Sequence, residues 1–79
     1  MKNVKLGKYL HYKGKEYEVI GTAKHSETLE EFVVYRALYL SKKFGKNSLW
    51  IRPKKMFLEK VEVSGKKVSR FRFISVKID

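Results

Sequence analysis

The chain contains no cysteine, which excludes a disulfide framework and every thiolate metal centre. Small secreted domains ordinarily need such staples, so the expected setting is the reducing cytoplasm. Proline occurs once, at position 53, and no segment is repeated or low in complexity. Apolar runs are short; Phe32-Val33-Val34-Tyr35 falls far below the length of a signal-peptide core or a membrane span. Acids are scarce as well, with 8 Asp+Glu against 19 Lys+Arg, a formal net charge of +11. With 79 residues there is room for one domain with one small core, and none for a doubly wound sheet or a large buried cofactor. Residues 1–79 are therefore expected to form a single domain. A hydrophobic content of 43% and an aromatic content of 14% exclude a disordered basic tail.

What acid there is lies together. Residues 16–31 hold Glu16, Glu18, Glu27, Glu30 and Glu31 against Lys24 alone, whereas residues 1–15 hold five lysines and no acid. Residues 32–58 carry Arg36, Lys42, Lys43, Lys46, Arg52, Lys54 and Lys55, again with no acid. A surface of this kind speeds encounter with polyanions and binds them with steep salt dependence. Its bases are mostly lysine, a weaker reader of base edges and phosphate forks than arginine.

Glycines at 7, 14, 21, 45 and 65 punctuate short segments rich in β-branched and aromatic residues, the signature of a small all-β domain. Strands are expected at residues 8–12, 16–23, 32–39, 49–52, 58–63 and 68–74, with turns at 13–15 and 64–66. Pro53-Lys54-Lys55-Met56-Phe57 suits one helical turn with proline in its first position. Thr28 and Glu31 have capping-box spacing, and Leu29, Phe32, Val33, Ala37 and Leu40 would share a helical face. The run Val33-Val34-Tyr35 favours a strand, with at most a short turn at 27–31. That strand should pair with residues 48–52 across the basic connection 41–48. It should place Val33, Tyr35, Ala37 and Tyr39 on one face and Phe32, Val34, Arg36 and Leu38 on the other. The alternation of Ile74, Val76 and Ile78 suggests that the sheet continues into the tail. Strands this short and this numerous are best accommodated by closing into a small barrel.

Two clusters could carry chemistry. Lys24-His25-Ser26-Glu27-Thr28 gathers a histidine, a hydroxyl and a carboxylate, but neighbours along an extended chain point in alternating directions and do not form a triad. With His11 and His25 the only histidines, no metal-ligand spacing exists. No enzyme activity, metal or cofactor is expected. His25 and Ser26 either close a turn or line a pocket with Glu27. In the second cluster, Leu49-Trp50-Ile51-Arg52-Pro53, Trp50 and Arg52 share one face. If Leu49 and Ile51 are core, that face is outward and suited to stacking a base or holding an anion; alternatively Trp50 packs under the basic connection.

The stretches Gly7-Lys8-Tyr9-Leu10-His11-Tyr12-Lys13-Gly14, Tyr17 to Glu30, Val33-Val34-Tyr35-Arg36-Ala37-Leu38-Tyr39 and Leu49 to Phe57 together resemble the bacterial family called domain of unknown function 1653. Val61-Glu62-Val63, Gly65-Lys66-Lys67-Val68 and Arg70-Phe71 complete the likeness, which spans about residues 7–72. The resemblance implies an SH3-like barrel, here of five to six strands with a short helical turn near 53–57, and supplies no catalytic residues. The connection at 41–47 departs from it by being longer and more basic, and Ser69 stands where proline is common.

Two functions follow as expectations. One is a binding module for RNA or single-stranded DNA, using Lys42, Lys43, Lys46, Trp50, Arg52, Lys54 and Lys55. The other is a pocket for a peptide or small anionic metabolite, using His25, Ser26, Glu27, Tyr35, Arg36, Trp50 and Arg52, without catalysis. No membrane partner is expected.

Overall fold

Alternating aromatic and β-branched residues build the main sheet of the computed structural model, which describes residues 4–76. Its strands are β1 (Gly7–His11), β2 (Glu16–Lys24), β3 (Glu31–Ala37), β6 (Leu49–Pro53) and β9 (Phe71–Ser75), all antiparallel, in the order β6-β3-β2-β1-β9. Two short hairpins stand apart from it: β4 (Leu40–Ser41) with β5 (Gly45–Lys46), and β7 (Lys60–Val63) with β8 (Lys66–Ser69). A single helical turn, α1 (Lys54–Phe57), follows β6 directly. The domain is thus mainly β.

The expected strand at 32–39 is present as β3, and it pairs with β6 in the register Phe32↔Pro53 through Arg36↔Leu49. Val33, Tyr35 and Ala37 are buried, which fixes that face inward. The capping-box signal yields only a turn: the Leu29 N–H donates to the His25 carbonyl at 2.8 Å, and Leu29 has φ 64°, outside a helix.

Register lines up the inward side chains across the sheet. Tyr9 faces Tyr17 and Phe73, Val19 faces Tyr35, and Tyr35 faces Trp50. β3 and β9 are separated by three inter-strand spacings, roughly 14 Å in a flat sheet. Yet the rings of Tyr35 and Phe71 lie 5.5 Å apart. The sheet is therefore strongly curled, and even its two outer strands share the interior: the Arg52 guanidinium of β6 sits 5.8 Å from the Phe71 ring of β9.

Curling does not become closure. Among the described residues no backbone ladder joins β6 to β9, where a closed barrel was expected. The physical reason is Phe57. It is 2% exposed and stacks on Phe71 at 4.2 Å and 8°, with Tyr9 and Tyr35 at 5.4 and 5.8 Å. The helical turn thus drives an aromatic plug between the inner faces of the sheet, which ties its two ends together through side chains and leaves the outer edge of β6 unpaired among the described residues.

Other expectations need correction. The strand foreseen at 68–74 is split at Arg70, whose backbone N–H donates to Glu59 O while its carbonyl accepts from Tyr12 N. This turns β7–β8 into a separate hairpin. Pro53 ends β6 and caps α1 with ψ 135°, rather than occupying the first helical position. Leu49 and Ile51 are each 63% exposed, so β6 is oriented opposite to the core assignment, with Trp50 and Arg52 facing in. β9 ends at Ser75, and Ile78 lies outside the described residues.

Glycine is required where β1 begins. Gly7 has φ 133°, and a Cβ there would collide with the Ser75 carbonyl and lie 2.9 Å from Val76 Cα. Gly21 has open space around it and no positive φ. Gly7→Ala should therefore cost about 2 kcal/mol or more, whereas Gly21→Ala should change stability by no more than about 0.5 kcal/mol. Denaturant unfolding of the two variants checks the contrast.

Candidate functional site

The inward orientation of β6 creates a concavity on the curled face. A pocket of about 310 Å³ is lined by Tyr17, Tyr35, Tyr39, Ser41, Phe44, Trp50 and Arg52. β2 supplies Tyr17, β3 supplies Tyr35, β6 supplies Trp50 and Arg52, and the β4–β5 hairpin folds Ser41 and Phe44 over the opening. Phe44 meets Trp50 edge to face at 4.9 Å and 88°. Trp50 therefore does pack under the basic connection, and it also walls a pocket. Its indole N–H donates to Ser48 Oγ at 2.9 Å, which fixes the ring.

The polar groups that line the pocket are a guanidinium, an indole N–H and four hydroxyls. Tyr17 and Tyr39 share a hydroxyl–hydroxyl hydrogen bond of 2.8 Å. Burial, the hydrogen bond shared with Tyr39 and the neighbouring Tyr39 and Tyr35 hydroxyls push the Tyr17 pKa above the ordinary tyrosine value, so Tyr17 stays protonated. Arg52 donates through Nε to Tyr35 Oη at 3.4 Å. Ser41 Oγ accepts the backbone N–H groups of Lys43 and Phe44, leaving its own proton to donate. No carboxylate lines the pocket, and among the described residues none pairs with Arg52.

The residues expected to form the pocket divide. Tyr35, Trp50 and Arg52 converge. Arg36 points the other way and is bound by Glu18 at 2.7 Å on the outer face, its cross-strand neighbour in register. His25, Ser26 and Glu27 sit at the tip of the β2–β3 hairpin, beyond Lys24↔Glu31. Glu31 is already four positions from Tyr35, roughly 13 Å at strand rise. His25 closes the turn: its Nδ1 accepts the backbone N–H groups of Glu27 and Thr28 at 3.1 and 3.3 Å. His25, Glu27 and Arg52 therefore do not assemble one site. The lysines also divide. Lys42, Lys43 and Lys46 ride the β4–β5 hairpin beside the pocket, whereas Lys54 and Lys55 lie in α1, with Lys54 held by Glu31 at 3.5 Å.

Sequence reasoning missed Tyr17, Tyr39, Ser41 and Phe44 as pocket residues. The alternation that put Tyr17 inward was available; the fold-back of the 40–46 hairpin was not. It also missed a second cavity of about 410 Å³ between β1 and the β7–β8 hairpin, where Leu10, His11, Tyr12, Val63, Val68 and Arg72 line an apolar groove. Among the described residues no three His, Asp or Glu gather in a way that could hold a metal, and no helix is long and apolar enough to cross a membrane.

His11 gives this region a pH dependence. Its ring packs on Phe71 at 4.9 Å. Burial, then the positive charges of Arg52, Arg70 and Lys13, lower its pKa below the ordinary 6.5. The folded protein thus resists a proton that the unfolded chain accepts. The resulting stability is present in full above the ordinary value and is lost as pH falls below it, through the lower folded value. Unfolding free energy should decline between pH 7.5 and 5.5, and the decline should be shallower in His11→Phe. Parallel urea titrations across that window measure the difference.

The geometry can be set beside known proteins. The family profile described as "Protein of unknown function (DUF1653)" matches residues 7–73. No curated protein matches the chain. A crystal structure of a DUF1653 protein from Bordetella bronchiseptica superposes with a TM-score of 0.84 at 29% identity, covering 100% of this chain and 97% of that one. A profile match over most of the length, together with a shared fold at that identity, means that the chain belongs to the DUF1653 family.

Proposed function

We propose that this protein is a non-catalytic binding module that holds an anionic group of a peptide or small metabolite in the Tyr17–Tyr35–Trp50–Arg52 pocket. The observation that carries this reading is Arg52: a guanidinium facing a concavity, with no carboxylate against it among the described residues. Around it stand hydroxyls able to donate and aromatic walls able to cover a planar or apolar body. A pocket with a guanidinium and hydroxyls but no carboxylate in its lining suits a phosphate or carboxylate, since either offers several acceptor oxygens to a guanidinium fork. The curled sheet, plugged by Phe57, is read as an SH3-like barrel whose two ends are bridged in the interior by side chains instead of a ladder. The cysteine-free composition supports a cytoplasmic location.

A thermal-shift screen of nucleotides, phosphorylated metabolites and dicarboxylates tests the reading. A ligand at a hundred times its Kd should add about 2.7 kcal/mol of stability. Arg52→Gln should abolish the shift while the variant remains folded. A screen in which no anionic compound raises Tm would overturn the proposal.

A second reading is favoured by the placement of Lys42, Lys43 and Lys46 on the hairpin that carries Phe44 against Trp50. That arrangement suits single-stranded nucleic acid, with phosphates on the lysines and a base on an aromatic ring. If it holds, affinity for an RNA oligonucleotide falls steeply with salt. Lys42→Ala/Lys43→Ala should flatten the slope of log K against log salt by about 1.4. Fluorescence anisotropy over a range of salt concentrations reads this directly; an unchanged slope counts against the hairpin as the contact surface.

A further inference from the structure

β6 is an outer strand whose second edge is empty among the described residues. It pairs with β3 alone, and among the described residues no other backbone hydrogen bond reaches Leu49, Trp50, Ile51 or Arg52. The register shows which groups face that edge. The Ala37 N–H donates to Ser48 O at 2.9 Å, which makes Ala37↔Ser48 a hydrogen-bonded position. Such positions recur at every second residue of an antiparallel pair, so Trp50 and Arg52 direct their backbone groups at β3. Leu49 and Ile51 therefore direct N–H and C=O at the open edge, whereas the carbonyl of Pro53, the cap residue of α1, is taken by the helical turn.

Outer strands are commonly guarded by charged side chains or proline. Here the positions facing away from the pocket are Leu49 and Ile51, each 63% exposed. Pro53, lacking an N–H, limits the edge at one end only. A segment laid along β6 would turn alternate side chains to Leu49 and Ile51, and the others to the side of Trp50 and Arg52.

Resting on the pocket reading above, we infer that the occupant is an extended peptide of alternating acidic and apolar residues, added as a strand to β6. Strand addition gives affinity through main-chain bonds and specificity through alternate side chains. Charge selects this occupant over a second copy of the chain. At +11, two copies repel, whereas carboxylates on the inner side of an added strand meet the lysines of the β4–β5 hairpin and Arg52, which pairs with no carboxylate among the described residues. Apolar residues on its outer side cover Leu49 and Ile51.

The test uses the full chain and an acetylated, amidated peptide of four Glu-Val repeats. Trp50 is the sole tryptophan, so its fluorescence reports binding. The peptide is expected to bind saturably and to slow amide exchange at Leu49 and Ile51. Ile51→Pro, which removes one edge donor without touching the β3 ladder, should weaken the peptide at least tenfold yet leave the fluorescence response to inorganic phosphate unchanged. Peptides N-methylated at every second amide, in both phases, give the same information without altering the protein: one phase should fail to bind. Equal binding by both phases, or unprotected Leu49 and Ile51 amides in the complex, would overturn strand addition. So would protection of those amides by an oligonucleotide, or by self-association in sedimentation runs. If phosphate binds and the peptide does not, strand addition alone falls. If neither binds, the pocket reading falls with it.

Discussion

The stack of Phe57 on Phe71 is the contact on which the rest of the molecule depends. Phe57 comes from the only helical turn among the described residues and Phe71 from the last strand, so their contact joins the two ends of a sheet that has no ladder between them. Tyr9, Tyr17 and Tyr35 assemble around the pair, mostly edge to face, an arrangement that complementary ring quadrupoles favour. The curl set by this cluster turns one face of the sheet into a cup. Removing the plug would relax the curl and, with it, the convergence of Tyr35, Trp50 and Arg52.

Electrostatics complete what packing begins. Glu16, Glu18, Glu31 and Glu59 each hold a base, at Lys8, Arg36, Lys54 and Arg70 respectively. Exposed pairs of this kind add little stability. Their effect on the site is negative selection of partners: each occupies a carboxylate at a distance from the pocket. Arg52 is left facing the Tyr35 hydroxyl and the Phe71 ring, with no acid paired to it among the described residues. An anion supplied from outside would therefore complete its coordination instead of displacing an internal partner.

Much of the fold was legible because strand alternation is a local property. Tyr17 and Val19 on one face of β2, and Val33, Tyr35 and Ala37 on one face of β3, follow from a period of two and from the preference of β-branched and aromatic residues for a pleated surface. The choice of strand over helix at 31–37 was legible for the same reason. The turn at Ser64-Gly65 was also local, since both residues take the positive φ that a tight hairpin demands.

The polarity of β6 was not legible, and the site hinged on it. Leu49, Trp50, Ile51 and Arg52 alternate aliphatic with aromatic or charged residues, so hydropathy alone puts Leu49 and Ile51 inside. The register with β3 decides otherwise, because Tyr35↔Trp50 and Val33↔Arg52 place those side chains on the face that Tyr35 and Val33 already bury. Closure was equally out of reach, since whether a helical turn inserts a ring or two strands pair depends on contacts far apart in sequence. The sequence by itself determined a small, basic, mainly β domain and the inward faces of β2 and β3. Only the tertiary structure decided that β6 faces its tryptophan and arginine inward and that the β4–β5 hairpin folds over them. The reason is physical: alternation defines two faces of a strand, but only pairing with a neighbour whose face is already committed says which one is buried.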